Sequence, residues 1–366
     1  MTQPDDVGRR LTEWLRAQMP QAEDVRIEGL ERVEFGHSAE MMVFTVVSRT
    51  AGGEDSQDVV VRLRPAPPAL LEPYDLKRQF DILRALEPTD VRIPRALWLE
   101  NSGAVLGREF FVMERVPGSV YEMETPIGAE AAPECVRSTC LSMADQLAAI
   151  HLVDLVATGL DVFGDGRDHL ESELDHWTGE MRRVQHGTLP ALERLLKALR
   201  ENKPRACPKV TLVHGDAKPG NFAFVSGEVS AVFDWEMSTI GDPLTDIGWM
   251  ELLWMQPVGI TSHPAAPSID EFIARYEAAS GITVEHRPWY RAFNAFKMAV
   301  ICLVGAMLVD DGLSDDLKLV VAAGGVEILP FVGLADLGIS EQLESGPIAI
   351  RQERILDVQS KVAAPH

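Results

Sequence analysis

Cysteine is scarce, and the four present, Cys135, Cys140, Cys207 and Cys302, include no C-x-x-C pair and no metal-ligand spacing with histidine. A reducing cytoplasm is the expected setting. The first ten residues, MTQPDDVGRR, lack a positive segment followed by an apolar one, so nothing there marks export. Long apolar runs are missing too. The longest, Met298 to Val309, has 12 residues, short of what a bilayer requires; a buried helix and no membrane partner are expected. Basic residues are outnumbered, 34 Lys and Arg against 56 Asp and Glu, which leaves a formal charge of −22. That balance argues against nucleic acid as a partner, because phosphate contacts need clustered cations. It permits a cationic substrate, and it is equally what solubility alone asks for. No internal repeat or low-complexity linker interrupts the chain.

What is present is apolar content of 46% in 366 residues, ample for two lobes of common domain size. Val7, Leu11, Trp14 and Leu15 recur at helical spacing and predict a helix over 6–19. Val25 to Val33, Met41 to Val47 and Val59 to Leu63, with Gly52-Gly53 at a turn, predict an antiparallel meander. Leu76, Phe80, Leu83 and Leu86 mark a helix over 74–87, and 94–99 and 109–113 read as two further strands. Beyond them the chain reads mainly as helices, over 131–153, 168–185, 189–202, 243–255, 269–280, 288–309 and 313–334. The polar tail after Ser340 is expected to attach loosely. The fold class is therefore α+β, with an antiparallel-sheet lobe over 1–117 and a mainly helical lobe over 118–366.

Chemistry concentrates in KVTLVHGDAKPGNFAFVSGEVSAVFDWEMSTIGDPLTDIGWM, residues 209–250. Val210 to Val213, Phe222 to Val225 and Val229 to Phe233 are short, β-branched or aromatic runs bounded by turn residues, and predict strands. A Gly227-Glu228 pair at the centre of a two-residue loop suits a type II′ hairpin. Counted outward, Ser226 then faces Val229 and Asn221 faces Asp234, with Cα atoms roughly 4.5 to 5.5 Å apart. Such a hairpin end would present an amide and a carboxylate together, a plausible pair of oxygen ligands for Mg²⁺. Asp242 before Pro243 suits a helix N-cap followed by proline, and Asp242 and Asp246 read as braces for the loop.

HGDAKPGN at 214–221 resembles the catalytic loop of the protein-kinase-like superfamily, reproducing His, Asp, Lys, Pro and Asn of HRDLKPEN with Gly215 in place of Arg. That glycine, and Asp234-Trp235-Glu236 where protein kinases carry DFG, look instead like the aminoglycoside phosphotransferase family. The likeness is strongest to its branch with DWE and GDPLxD blocks, which also occurs fused to acyl-CoA dehydrogenases. Four ordered motifs fall within 214–246.

The resemblance implies a two-lobed protein-kinase-like fold and transfer of the ATP γ-phosphoryl group to a hydroxyl of a small molecule. In that reading Asp216 orients the acceptor hydroxyl and Lys218 reaches the transferring phosphate, unless it is only a solvated charge. Asn221 and Asp234 hold Mg²⁺, with Glu236 helping or merely ending a strand. His214 packs beneath the loop, and His151 is read as a packed histidine. Gly36 and Ser38 fall in the place of the phosphate-covering loop, which departs here from G-x-G-x-x-G. Arg62 stands where protein kinases carry the lysine of V-A-I-K, and its planar fork suits phosphate. Gln79 takes the place of the glutamate that orients that basic residue, and is expected to hydrogen-bond Arg62 without an ion pair. FFVMERVPG resembles the hinge whose backbone grips adenine, which assigns Glu114 and Val116 to the nucleotide. Only eight residues separate Asp234 from Pro243, leaving no room for an activation loop that holds a peptide. A nucleotide-binding pseudokinase is the alternative, suggested by Gln79 and the thin glycine loop. The acceptor is either an aminoglycoside or a hydroxylated metabolite with an apolar portion, and Trp249, Met250, Trp254 and Met255 could serve the latter.

Overall fold

Helix and sheet meet at the start of the chain because their apolar residues repeat on matching faces. The computed structural model describes residues 4–35, 39–185, 187–204, 209–340 and 350–363. Helix α1 (Pro4–Gln18) precedes β1 (Asp24–Phe35), β2 (Ala39–Thr50) and β3 (Gly53–Leu63); α2 (Leu76–Leu86), β4 (Ala96–Glu100) and β5 (Phe110–Glu114) follow. The five strands form one antiparallel sheet in the order β1-β2-β3-β5-β4. Met42, Phe44 and Val46, then Val59, Val61 and Leu63, then Phe110 and Val112 alternate along their strands, so they share one face. Val7, Leu11 and Leu15, four residues apart, cover that face from α1. Arg62 lies between Val61 and Leu63 and therefore belongs to the opposite face, where Phe80 of α2 meets Phe111 with ring centroids 6.0 Å apart.

These elements belong to a compact unit composed of Met1–Ser119, Phe222–Val225 and Val229–Glu236. A second unit comprises Val120–Asn221, Ser226–Glu228 and Met237–His366. Its helices begin with α3 (Pro133–His151), α4 (Leu155–Thr158), α5 (His169–Val184) and α6 (Pro190–Glu201), after which the chain runs into β6 (Thr211–Val213). Strands β7 (Phe222–Val225) and β8 (Glu228–Val232) form a two-stranded sheet lying almost wholly in the first unit. Strand β9 (Thr239–Gly241) then pairs with β6, and this pairing occupies the short segment between Asp234 and Pro243. Helices α7 (Leu244–Trp254), α8 (Ile269–Ser280), α9 (Arg287–Asp310), α10 (Leu317–Ala322), α11 (Gly325–Asp336) and α12 (Gln352–Ala363) complete the unit.

Every residue of α7 is buried, as expected of a helix apolar all round. By length and composition α9 and the span 317–336 are each apolar enough to cross a membrane, a longer reach than the 12-residue run suggested. In α9, 78% of the apolar window is packed inside the protein, which makes it a core helix.

Three expectations need correction. The helix expected over 313–334 is two helices, α10 and α11, parted at Ala323 and Gly324. A Cβ at Gly325 would lie 2.8 Å from Cys302 Sγ, so the backbone there packs closer than a side chain allows. The tail is not loosely attached over its described part. Ile350 and Val358 are fully buried, and between them Arg354 donates to the Val309 carbonyl at 2.7 Å. These three residues repeat every four positions, a stripe hidden by the tail's polar composition. The hairpin register is also different, with direct consequences for Asn221 and Asp234.

Candidate functional site

Two side-chain clusters, one in each unit, contain most of the residues singled out in the sequence. In the first unit Arg62 is 3% exposed, held by β3 on the sheet face beneath α2. Its Nη2 donates to Asp234 Oδ1 at 2.6 Å and to Glu236 Oε2 at 3.0 Å, while Nε donates to Tyr74 Oη at 3.2 Å. Burial works against the charge, but Asp234, Tyr74 and Glu236 outweigh it and hold the guanidinium's pKa above its ordinary value. Tyr74 is itself pushed up to about 12 by burial, so its hydroxyl keeps its proton. Gln79 is 4% exposed and hydrogen-bonds the Tyr74 hydroxyl. In place of the expected Arg62–Gln79 bond, the two residues meet through the Tyr74 hydroxyl, which accepts from Arg62 Nε.

Backbone geometry explains the hairpin correction. Ser226 has φ 52° and Gly227 φ 84°, so the two loop residues are Ser226-Gly227, both with positive φ as a type I′ turn requires. Val225 and Glu228 then flank the loop, and the partner of every residue moves two positions from the expected register. Strand β7 starts at Phe222 and β8 stops at Val232, which leaves Asn221 and Asp234 outside the ladder. Asn221 closes a 3₁₀ turn, Pro219–Asn221, and Asp234 sits beyond β8 with φ 62°. A left-handed aspartate is uncommon and strained positions cluster at functional sites.

In the second unit the loop after β6 is held from below by one carboxylate. Asp246, fully buried near the start of α7, accepts from the His214 N–H at 2.7 Å and the Gly215 N–H at 2.8 Å. Its Oδ2 also lies 3.1 Å from His151 Nε2, whose Nδ1 is 2.7 Å from Tyr276 Oη. A carboxylate only accepts, so Nε2–H donates to Asp246, and the second ring nitrogen is tied to the Tyr276 hydroxyl. Burial pushes the Asp246 carboxyl up, yet the bonds from His151 and His214 overcome it and hold it below the usual range. Asp242 Oδ1 caps α7 through the Leu244 N–H at 3.0 Å, and its Oδ2 accepts from Tyr290 Oη at 2.6 Å. Above this base the loop closes on itself. Asn221 Nδ2 donates to both the carbonyl and Oδ2 of Asp216, each at 2.8 Å, and His214 Nδ1 accepts from the Asp216 N–H at 3.2 Å. Lys218 Nζ pairs with Glu122 Oε1 at 2.6 Å and stands 4.0 Å from Asp216 Oδ2.

Sequence reading missed three participants. Tyr74 and Glu122 stand outside any motif and carried no signal. Lys297 did carry one, as the single charged residue between Arg291 and Asp310. It is 4% exposed, and its Nζ donates to the Gly215 carbonyl at 2.6 Å. Gly36 and Ser38 lie outside the described residues. Glu114 ends β5, where it pairs with Val59 and its N–H donates to the Arg95 carbonyl; Val116 follows in an irregular, half-buried stretch. Trp249, Met250 and Trp254 are core residues, and only Met255, 63% exposed, faces solvent.

The model of the phosphotransferase enzyme family (APH) matches residues 43–293. The chain belongs to this family. Among curated relatives of this phosphotransferase-family chain, acyl-CoA dehydrogenase family member 10 of Mus musculus is 32% identical over 258 residues. Family member 11 of Rattus norvegicus is 30% identical over 259. Each alignment covers 67% of the chain, but only 24% and 33% of those longer proteins. A candidate aminoglycoside phosphotransferase from Ralstonia eutropha superposes with a TM-score of 0.72 at 24% identity, covering 91% of this chain and 99% of that one. Aminoglycoside phosphotransferase APH(4)-Ia, in a ternary complex with ADP and hygromycin B, gives 0.56 at 16% identity over 88% and 98%. At these identities the superpositions establish the kinase-like fold of the family.

For a divalent cation, the test within the family member is whether its carboxylates converge. They do in the first unit: oxygens of Asp234 and Glu236 both approach one guanidinium nitrogen within 3.0 Å. Two hard oxygens aimed at one cationic point are the donor chemistry that Mg²⁺ takes.

Proposed function

We propose that the protein is an ATP- and Mg²⁺-dependent phosphotransferase that phosphorylates a hydroxyl group of a small molecule. The observation that carries this reading is the self-closed loop at 214–221, where Asn221 fixes Asp216 through two hydrogen bonds. Phosphoryl transfer asks a protein mainly for positioning and charge neutralisation, and a rigid carboxylate at the head of a family motif answers the first need. Asp216 receives the acceptor hydroxyl and its proton. Asp234 and Glu236 are the candidate metal ligands of the first unit, and the family pattern assigns Asn221 as a further one. Mg²⁺, when bound, neutralises phosphate oxygens. Arg62 keeps the two acids in place and supplies positive charge toward the phosphates. Lys218, steered by Glu122, is the second cation assigned to the transferring group. Glu114 and Val116 are assigned to the adenine by the family pattern, and the cytoplasm is the proposed compartment.

For the acceptor, a hydroxylated metabolite with an apolar portion is preferred over an aminoglycoside. The curated relatives are acyl-CoA dehydrogenase family members, and in such company a hydroxyacyl compound makes chemical sense. ATP-dependent phosphorylation is to be followed by mass spectrometry across aminoglycosides, sugars and hydroxyacyl thioesters at matched concentrations. Efficient, selective modification of the aminoglycosides would reverse the preference. Binding of ATP without turnover on any acceptor would favour the second reading, a nucleotide-binding pseudokinase, for which the replacement of an ion-pairing glutamate by Gln79 is the specific observation.

A further inference from the structure

One face of α9 carries three polar residues through an apolar core. Tyr290, Asn294 and Lys297 stand at i, i+4 and i+7 and so point the same way. Each ends on a different anchor in the second unit: Tyr290 Oη on Asp242 at 2.6 Å, Asn294 Nδ2 on the Thr245 carbonyl at 2.9 Å, and Lys297 Nζ on the Gly215 carbonyl at 2.6 Å. The first two brace the start of α7. The third holds the residue immediately before Asp216.

A buried ammonium is costly, and methionine of similar length would fill the same space without that cost. Its surroundings are arranged to keep it. The Trp249 and Trp177 rings lie with centroids 4.8 and 5.6 Å from Nζ, within cation–π range. Burial lowers the Lys297 pKa, while Glu173, Asp216 and Asp246 act in the opposite direction. Gly215 is therefore gripped on both sides, its N–H by Asp246 at 2.8 Å and its carbonyl by Lys297. With φ at 84° and the Met237 carbonyl pressed against it, that peptide has little freedom left.

We infer that Lys297 is a positioning residue for phosphoryl transfer: by gripping the Gly215 carbonyl it sets the Gly215–Asp216 peptide, and hence the angle at which the Asp216 carboxylate meets an acceptor hydroxyl. This rests on the function proposed above. A core residue with no such role would affect folding and nothing else.

The test compares the full-length parent, Lys297→Met, Lys297→Gln, Asp216→Asn and the Asp216→Asn/Lys297→Met double variant in Mg-ATP hydrolysis, with water as the acceptor. Circular dichroism reports folding. Lys297→Met is expected to lower kcat at least about 10-fold with the KM for ATP unchanged, since small misplacements of a reacting group are expensive in rate. Lys297→Gln, which keeps a donor for the carbonyl, loses less. The double variant is no slower than Asp216→Asn alone, because one residue acts through the other. A folded Lys297→Met at the parent kcat, beside an impaired Asp216→Asn, overturns the inference alone. Failure of both uncharged variants to fold also overturns it, by reducing Lys297 to packing. A parent that turns over neither with water nor with any acceptor of the panel above, or an Asp216→Asn as fast as the parent, removes the proposed function and the inference with it.

Discussion

Arg62 Nη2 lies 2.6 Å from Asp234 Oδ1, so the basic residue of β3 is bound to the acid that follows β8. Glu236 shares the same nitrogen at 3.0 Å. One guanidinium thus stands between two carboxylates that would otherwise repel each other in a partly buried setting.

Removal of that cation has two expected consequences. Arg62→Met is expected to cost about 3 kcal/mol of stability, the lower range for stripping a partner from a buried pair. The variant also gains more thermal stability from added Mg²⁺ than the parent does, because the acids then have no other cation. Melting curves with and without Mg²⁺ check both points; equal stability of variant and parent would show the cluster to be energetically idle.

Asp216→Asn keeps the shape of the loop and removes the carboxylate. Phosphoryl transfer is expected to fall at least about 10²-fold, the lower range for a positioned general base. ATP affinity is expected to stay near the parent's. Titration calorimetry and a turnover assay separate the two quantities.

Gln79→Glu places an acid beside Tyr74, where the Arg62 guanidinium already serves two carboxylates. A buried carboxyl without a cation has a raised pKa, so its penalty is small in acid and grows as pH rises above the ordinary glutamate value. A loss of about 1–3 kcal/mol at neutral pH is expected, the cost of a poorly satisfied buried group. Urea unfolding at pH 5 and pH 8 tests this, and a variant unaffected at both would place an unseen cation at the site.

Asp246 predicts the opposite pH dependence. Its folded pKa is depressed, so its contribution is complete above the ordinary aspartate value of about 3.9 and is lost as pH falls through the lower folded value. Asp246→Asn turns one acceptor into a donor facing the His214 and Gly215 N–H groups. It is expected to cost on the order of 3 kcal/mol at pH 7, a deficit that narrows in acid as the parent loses the same charge. Thermal unfolding of both proteins between pH 7 and pH 3 measures the convergence.

Much of this was legible in the sequence because local rules and global structure agree. Alternation at Met42, Phe44 and Val46 and the four-residue repeat of Val7, Leu11 and Leu15 dictate a sheet face and its covering helix. The braces Asp242 and Asp246 could be read from their motif. The hairpin register could not, since Ser226-Gly227 and Gly227-Glu228 are both acceptable loops and only backbone dihedrals separate them. Glu122 and Lys297 reach their partners across 96 and 82 residues, a relationship that periodicity does not encode. The pairing of Arg62 with Asp234 spans 172 residues and was hidden for the same reason.

At Gly215 a Cβ would stand 2.1 Å from the Met237 carbonyl oxygen, so the backbone has already taken the volume of a side chain. Protein kinases carry an arginine at this point of the motif, and arginines that bind a phosphorylated residue are how their activation loops become ordered. Here there is neither room for the arginine nor a loop for it to read. The segment in which such a loop would lie is taken up instead by β9, paired along its length with β6, so the backbone that follows Asp234 is tied into a sheet.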